Sequence, residues 1–167
     1  MLKSTGIVRK IDELGRIVIP KELRSMLGIA NGDELEIFIE NELIVLKKYS
    51  QLLNNKDKTN NLVSKITNLV DGILLIADKE VILTSGKFEN KKIPNTIKNI
   101  ILSRQNYCLN DKEVYLFDEL EISGYFYFSP IIQDSNANGV IILVKNNRIN
   151  KEDVVFVSVL KNIIEKS

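Results

Sequence analysis

Residues 6–24, GIVRKIDELGRIVIPKELR, constrain the fold more than any other stretch of this chain. β-Branched residues crowd both flanks of Asp12–Gly15, and Gly15 can supply the positive φ that a tight turn needs. The pattern predicts strands over Ser4–Lys10 and Arg16–Ile19 joined by that turn. Pro20 suits the first position of a helix, where its missing N–H costs nothing. Leu23, Met26 and Leu27 then share one helical face, and Gly28 ends it. A helix of about two turns does not persist alone in water, so it must dock on something.

Asn31-Gly32-Asp33 is a turn signal. Glu34 to Glu40 alternates, with Leu35, Ile37 and Ile39 on one face and Glu34, Glu36, Phe38 and Glu40 on the other. Glu40-Asn41-Glu42 turns the chain into Leu43–Lys47, a second hairpin. The unit holds fewer than 50 residues and has no cysteine. Domains near ~40 residues usually need a staple or a partner chain. A homodimer through residues 1–50, with interleaved hairpins, is the expected solution.

The net charge of +1 hides an uneven distribution. Residues 1–24 hold six cations (Lys3, Arg9, Lys10, Arg16, Lys21 and Arg24) against three anions. Residues 25–46 hold five anions and no cation. If folding separates the two sets, a polyanion meets only the basic side. Arg9, Lys10, Arg16, Lys21 and Arg24 are therefore candidate DNA contacts, because guanidinium forks bind phosphates or the acceptor edge of guanine. Lys21 and Arg24, three apart, are expected to point outward together. On spacing alone a second reading stands beside this one: surface cations that pair with Asp12, Glu13 and Glu22.

Residues 2–49 as a whole resemble the N-terminal domain of the AbrB/SpoVT family. DELGR, IVIPKELR, the Gly28-Ile29 stop, the DELEIF strand and the terminal LKKY carry the likeness. The resemblance implies a mainly β, swapped-hairpin, AbrB-type barrel that is dimeric and binds double-stranded DNA. It assigns the DNA surface to Arg9, Arg16 and Arg24, with Lys10 and Lys21 as helpers. Relatives usually carry a second arginine after the one matching Arg24; this chain has Ser25.

Ser50–Asn61 (SQLLNNKDKTNN) is polar and reads as a linker, partly helical, over 51–61. Leu62, Ile66, Leu69 and Val70 follow helical spacing. Strands are expected at Gly72–Ala77, Val81–Thr84, Val114–Phe117, Tyr125–Ile132 and Gly139–Lys145, with Asp134–Asn138 as the last loop. Pro94 opens a helix carrying Ile97, Ile100 and Ile101. Val154–Leu160 has β propensity, but Asn150 is a good N-cap and Glu152 and Asp153 favour a helix start. The expectation is an α+β domain over 62–167 built on one antiparallel sheet. Its element order resembles a GAF-type sensor domain, which implies a sensory or oligomerisation role and room for an unidentified small-molecule ligand. Tyr125, Tyr127, Cys108 and Ser85 are candidates to line a pocket, with core packing or exposed strand faces as the competing reading. The terminal apolar stripes, Leu62–Val70 and Val157–Ile164, either bury within the domain or pair two copies, giving a homotetramer.

The chain lacks histidine, the commonest metal ligand and neutral-pH base, and has one cysteine. That argues against a zinc site and against an enzyme, so no catalytic residue, metal or cofactor is expected. The lone Cys108 fits a reducing compartment. The apolar runs are too short to span a bilayer, and early charges interrupt any secretory core, so a cytoplasmic, nucleoid-associated protein is expected. The functional expectation is a sequence-selective transcriptional regulator of sporulation or another developmental transition. The alternative is an antitoxin-type autorepressor whose C-terminal segment binds a protein partner; antitoxins usually end in a short disordered tail.

Overall fold

The computed structural model describes residues 4–133 and 135–166. Lys3 and Asp134 lie outside the described residues. The chain divides into two compact units, Met1–Tyr49 and Ser50–Ser167. Each carries its own sheet.

In the first unit, residues 4–20 form no ladder, although strands were expected at Ser4–Lys10 and Arg16–Ile19. A strand needs a neighbour to take its alternate N–H and C=O groups. Among the described residues of one chain this segment meets no ladder partner, and its backbone bonds gather at the Asp12–Arg16 turn: Asp12 N–H donates to Arg16 O at 3.0 Å and Gly15 N–H to Asp12 O at 2.9 Å. Gly15 takes φ +74° there. Helix α1 (Lys21–Met26) begins one residue after Pro20, which serves as N-cap. It ends in a Schellman arrangement: Ile29 N–H reaches Arg24 O at 2.7 Å, Gly28 N–H reaches Ser25 O at 3.3 Å, and Gly28 has φ +63°. Strands β1 (Leu35–Glu40) and β2 (Leu43–Lys48) pair antiparallel through a two-residue turn, with Asn41 and Glu42 both at positive φ. Lys48 ties this hairpin to the helix end, donating to Gly28 O at 2.9 Å and pairing with Asp33 at 3.1 Å.

The second unit is larger. The stretch expected as a partly helical linker over 51–61 is helical, as α2 (Gln51–Asn54) and the start of α3 (Lys56–Ile66), and falls within the second unit. Its polar look concealed two buried contacts: Leu52 and Thr59 are both buried. Strand β3 (Ile73–Ala77), helix α4 (Asn95–Ser103), strands β4 (Tyr107–Cys108), β5 (Glu113–Phe117), β6 (Leu120–Gln133) and β7 (Asn136–Lys145), and helix α5 (Lys151–Glu165) follow. The antiparallel sheet runs β3-β7-β6-β4, with β5 also on β6. Val81–Thr84, expected as a strand, makes only isolated bridges, because Thr84 and Leu83 bond the edge at Ile76 and the chain then turns away.

Alternation along β7 sorts its side chains to two faces. Val140, Ile142 and Val144 join Phe126, Phe128, Ile97 and Ile101 in a core under α4. Ile141 and Leu143 join Leu52, Val63, Val157, Leu160 and Ile164 in a second core under α3 and α5. The apolar residues Val157, Leu160 and Ile164 of the C-terminal stripe are thus internal. Asn150 and Asp153 form a full capping box on α5, and Asp153 also meets Lys145 at 2.8 Å with both side chains buried. Among the described residues no helix is long and apolar enough to cross a membrane.

Candidate nucleic-acid interface

The five candidate cations fall into two groups. Arg16 and Arg24 are held by neighbouring side chains; Arg9, Lys10 and Lys21 are not. Arg16 closes the DELGR turn. Asp12 Oδ1 accepts from Leu14 N–H at 3.0 Å and from Arg16 N–H at 2.7 Å, while Oδ2 accepts from Arg16 Nε at 2.8 Å. These bonds favour the ionised carboxylate. The Arg16 backbone N–H, then its guanidinium, holds Asp12 below its ordinary value of 3.8. The pair is exposed, so its energetic weight is small; its geometric effect is to fix where the fork begins. Because Nε is the atom engaged, both terminal amino groups of Arg16 remain available.

Arg24 departs from expectation. It does not stand free beside Lys21 but is half-buried, donating from Nη1 to Asn31 Oδ1 at 2.6 Å, with Nε buried and unpartnered. Asn31 is placed by the turn after α1. That turn is fixed by Asp33, whose Oδ2 accepts from Ala30 N–H at 2.8 Å. Arg9 donates only to the adjacent Val8 carbonyl, at 3.0 Å. Lys10 and Lys21 are exposed and form no ion pair among the described residues. Ser25 is exposed on α1. Asp12 and Asn31 were missed as functional candidates; an Asp opening a turn with Arg four residues on was the legible signal for the first.

Most large apolar side chains among the described residues of this unit are open. Val8 is 84%, Val18 73%, Ile39 85% and Ile44 72% exposed. In register, Ile37 faces Leu46 and Ile39 faces Ile44, so β1 and β2 present one continuous apolar face.

In the second unit a cleft of about 540 Å³ lies along the outer side of β3, lined by Asn60, Ser64, Thr67, Ile73, Ser85 and Phe88 among others. Of the four residues expected in a pocket, it contains Ser85 alone. Tyr127 is buried in the core under α5, where burial, then the neighbouring Cys108, raises its hydroxyl above the ordinary value. Cys108 is exposed on the short edge strand β4; partial desolvation by its surroundings pushes its thiol up, away from the reactive thiolate. No cluster of potential metal ligands exists among the described residues.

These features coincide with relationships to known proteins. A family model described as antidote-toxin recognition MazE, bacterial antitoxin, matches residues 8–53. Stage V sporulation protein T of Bacillus subtilis (strain 168) is 32% identical over 155 residues, 88% of this chain and 87% of that protein. The transition state regulatory protein AbrB of the same organism is 43% identical over 102 residues, 59% of this chain and 97% of that protein. The solution structure of the N-domain of the transcription factor abrB shares 67% identity, covering 29% of this chain and 94% of that one, with a TM-score of 0.28. A solution structure of the N-terminal DNA recognition domain of Bacillus subtilis AbrB shares 66%, covering 30% and 94%, with a TM-score of 0.27. A two-unit chain with a basic turn and a short helix is what these similarities group together. This chain belongs to the AbrB/SpoVT family.

Proposed function

We propose that this chain is a sequence-selective DNA-binding transcriptional regulator of sporulation or another developmental transition. Its first unit acts as a swapped-hairpin homodimer, and Arg9, Lys10, Arg16, Lys21 and Arg24 contact double-stranded DNA. Its second unit, GAF-like in its order of elements, serves sensing or assembly, and contacts through both units build a homotetramer. The observation that carries this reading is near full-length likeness to a sporulation protein, together with the likeness of 102 residues to a transition state regulatory protein. Two features of the structure support it. The cations cluster in the unit whose apolar side chains a single chain leaves open, so dimerisation and a doubled basic surface go together. Arg16 and Arg24 stand on a hydrogen-bonded turn and on a helix, each of which fixes its backbone locally.

A dimer neutralising ~6–8 phosphates has log affinity falling with log salt at a slope of roughly −5 to −7. Arg16→Ala and Arg24→Ala each weaken binding in a mobility-shift assay at moderate salt while the protein stays dimeric. Unchanged binding in both removes the residue assignment.

The match to the MazE antitoxin model supports a second reading, a DNA-binding antitoxin whose C-terminal segment captures a protein. The two buried cores of the second unit favour the regulator. Limited proteolysis separates the readings: a resistant 50–167 fragment supports the regulator, and rapid degradation supports the antitoxin.

A further inference from the structure

Resting on the DNA-binding reading, we propose that Asp12 and Asn31 are positioning residues that hold the arginine forks of Arg16 and Arg24 ready for the nucleic acid. An arginine that must be ordered on binding pays for its lost rotamers at that moment, and a fork fixed beforehand does not. The two anchors differ in kind. Asp12 grips Arg16 at Nε, at 2.8 Å, and is itself locked by two backbone N–H donors. Asn31 takes one terminal amino group of Arg24, at 2.6 Å, and leaves the other. Arg24 Nε is buried, so packing around it as well as the bond to Asn31 confines the side chain. In contrast, Arg9 reaches only the neighbouring Val8 carbonyl, and Lys10 and Lys21 have no such anchor among the described residues.

For Asp12 the sign of the effect is diagnostic. A carboxylate close to DNA phosphates repels them, so plain electrostatics has its removal strengthen binding. A positioning role has its removal weaken binding although the protein becomes more positive. The number of phosphates neutralised is unchanged, so the salt slope stays where it was, whereas loss of Arg16 lowers the slope.

The test uses the full-length chain and a duplex enriched by the unaltered protein from a random-sequence library, followed by fluorescence anisotropy. Asp12→Asn and Asp12→Ser retain an acceptor for the turn's backbone N–H groups, so circular dichroism and sedimentation stay unchanged. Each is expected to weaken binding roughly two- to tenfold, with an unchanged salt slope. Neither weakens it further in an Arg16→Ala background. Asn31→Ala behaves likewise against Arg24→Ala. Unchanged or stronger binding by the Asp12 variants, or losses that simply add to those of Arg16→Ala, overturns the proposal while the DNA reading stands. Unchanged binding by Arg16→Ala and Arg24→Ala removes those two residues from the DNA surface, and failure of the unaltered protein to enrich any duplex overturns the DNA reading itself.

Discussion

The two units of this chain bury their apolar side chains in opposite ways. The second unit closes on itself: Ile76, Leu83, Phe117, Phe126, Ile141 and Leu143 are fully enclosed by two helical layers and one sheet. The first has the same kind of β-branched sequence yet leaves Ile39 85% exposed and Val8 84% exposed. The difference teaches that apolar alternation specifies a face without specifying what covers it. In residues 50–166 the cover is intramolecular. In residues 4–49 the chain is too short to supply it, and a second copy is the solution proposed above.

The largest effect that could break this comparison comes from Ile39→Lys. On a solitary surface hairpin the change is nearly silent, and lysine there even protects an open edge. In a dimer core it forfeits roughly 1.5–3 kcal/mol of apolar burial and adds a buried charge. The expected outcome is loss of the dimer in sedimentation and loss of DNA binding, with residues 50–167 still folded. A dimer of unaltered affinity would show that the open face is not the interface.

Next in size is Asp153→Ala in the second unit. Lys145 and Asp153 are both buried, and Asp153 also caps α5 through Asn150 N–H at 2.9 Å. Removing one partner strands a buried ammonium, so a loss of about 3–5 kcal/mol is expected in urea unfolding. The paired change Lys145→Met with Asp153→Leu should recover much of it, less about 1 kcal/mol for the lost cap. A small loss for the single variant would mean that water reaches the pair.

Gly139→Ala probes the tightness of the same unit. An added Cβ would lie 2.2 Å from the Ala77 carbonyl oxygen and 2.5 Å from Leu52 Cδ1. Neither the ladder carbonyl nor the buried leucine has room to give, so overpacking of roughly 1–3 kcal/mol is expected. The loss registers as a lower thermal midpoint of the second unit with no change in dimer affinity of the first.

The same contrast explains what was legible in the sequence. Local signals succeeded wherever the partner is near in sequence. Gly28 as helix stop, the Asn41–Glu42 turn, Pro94 before α4 and the Asn150 cap are all decided within a few residues. Reading failed where the partner is remote or outside the chain. Residues 4–10 and 16–19 have strand pattern but no neighbour within the chain. Residues 51–61 look like a linker because they bury few side chains, Leu52 and Thr59 among them. Asp12 as an anchor is a spacing that could be read; Asn31 reaching back seven residues to Arg24 depends on the Schellman stop and the turn after it, a geometry that composition does not encode.

The smallest expected effect sharpens the first unit's side of the comparison. Asn41 and Glu42 both adopt positive φ, at 44° and 67°, the conformation that suits an Asn-Gly hairpin. Asparagine tolerates this region, while a glutamate is strained there. Glu42→Gly relieves the strain, worth about 1–2 kcal/mol, but frees the unfolded chain at a cost of roughly 0.5–1 kcal/mol. The net gain is therefore a few tenths of a kcal/mol up to about 1 kcal/mol. The turn follows the last cross-strand pair, Glu40 with Leu43, at the far end from the Leu35–Lys48 pair beside Asp33. Its relief should raise the thermal midpoint of the first unit by a degree or more without moving DNA affinity or the second unit's transition. A loss of stability instead would mean that Glu42 makes a contact across the dimer that the single chain does not contain.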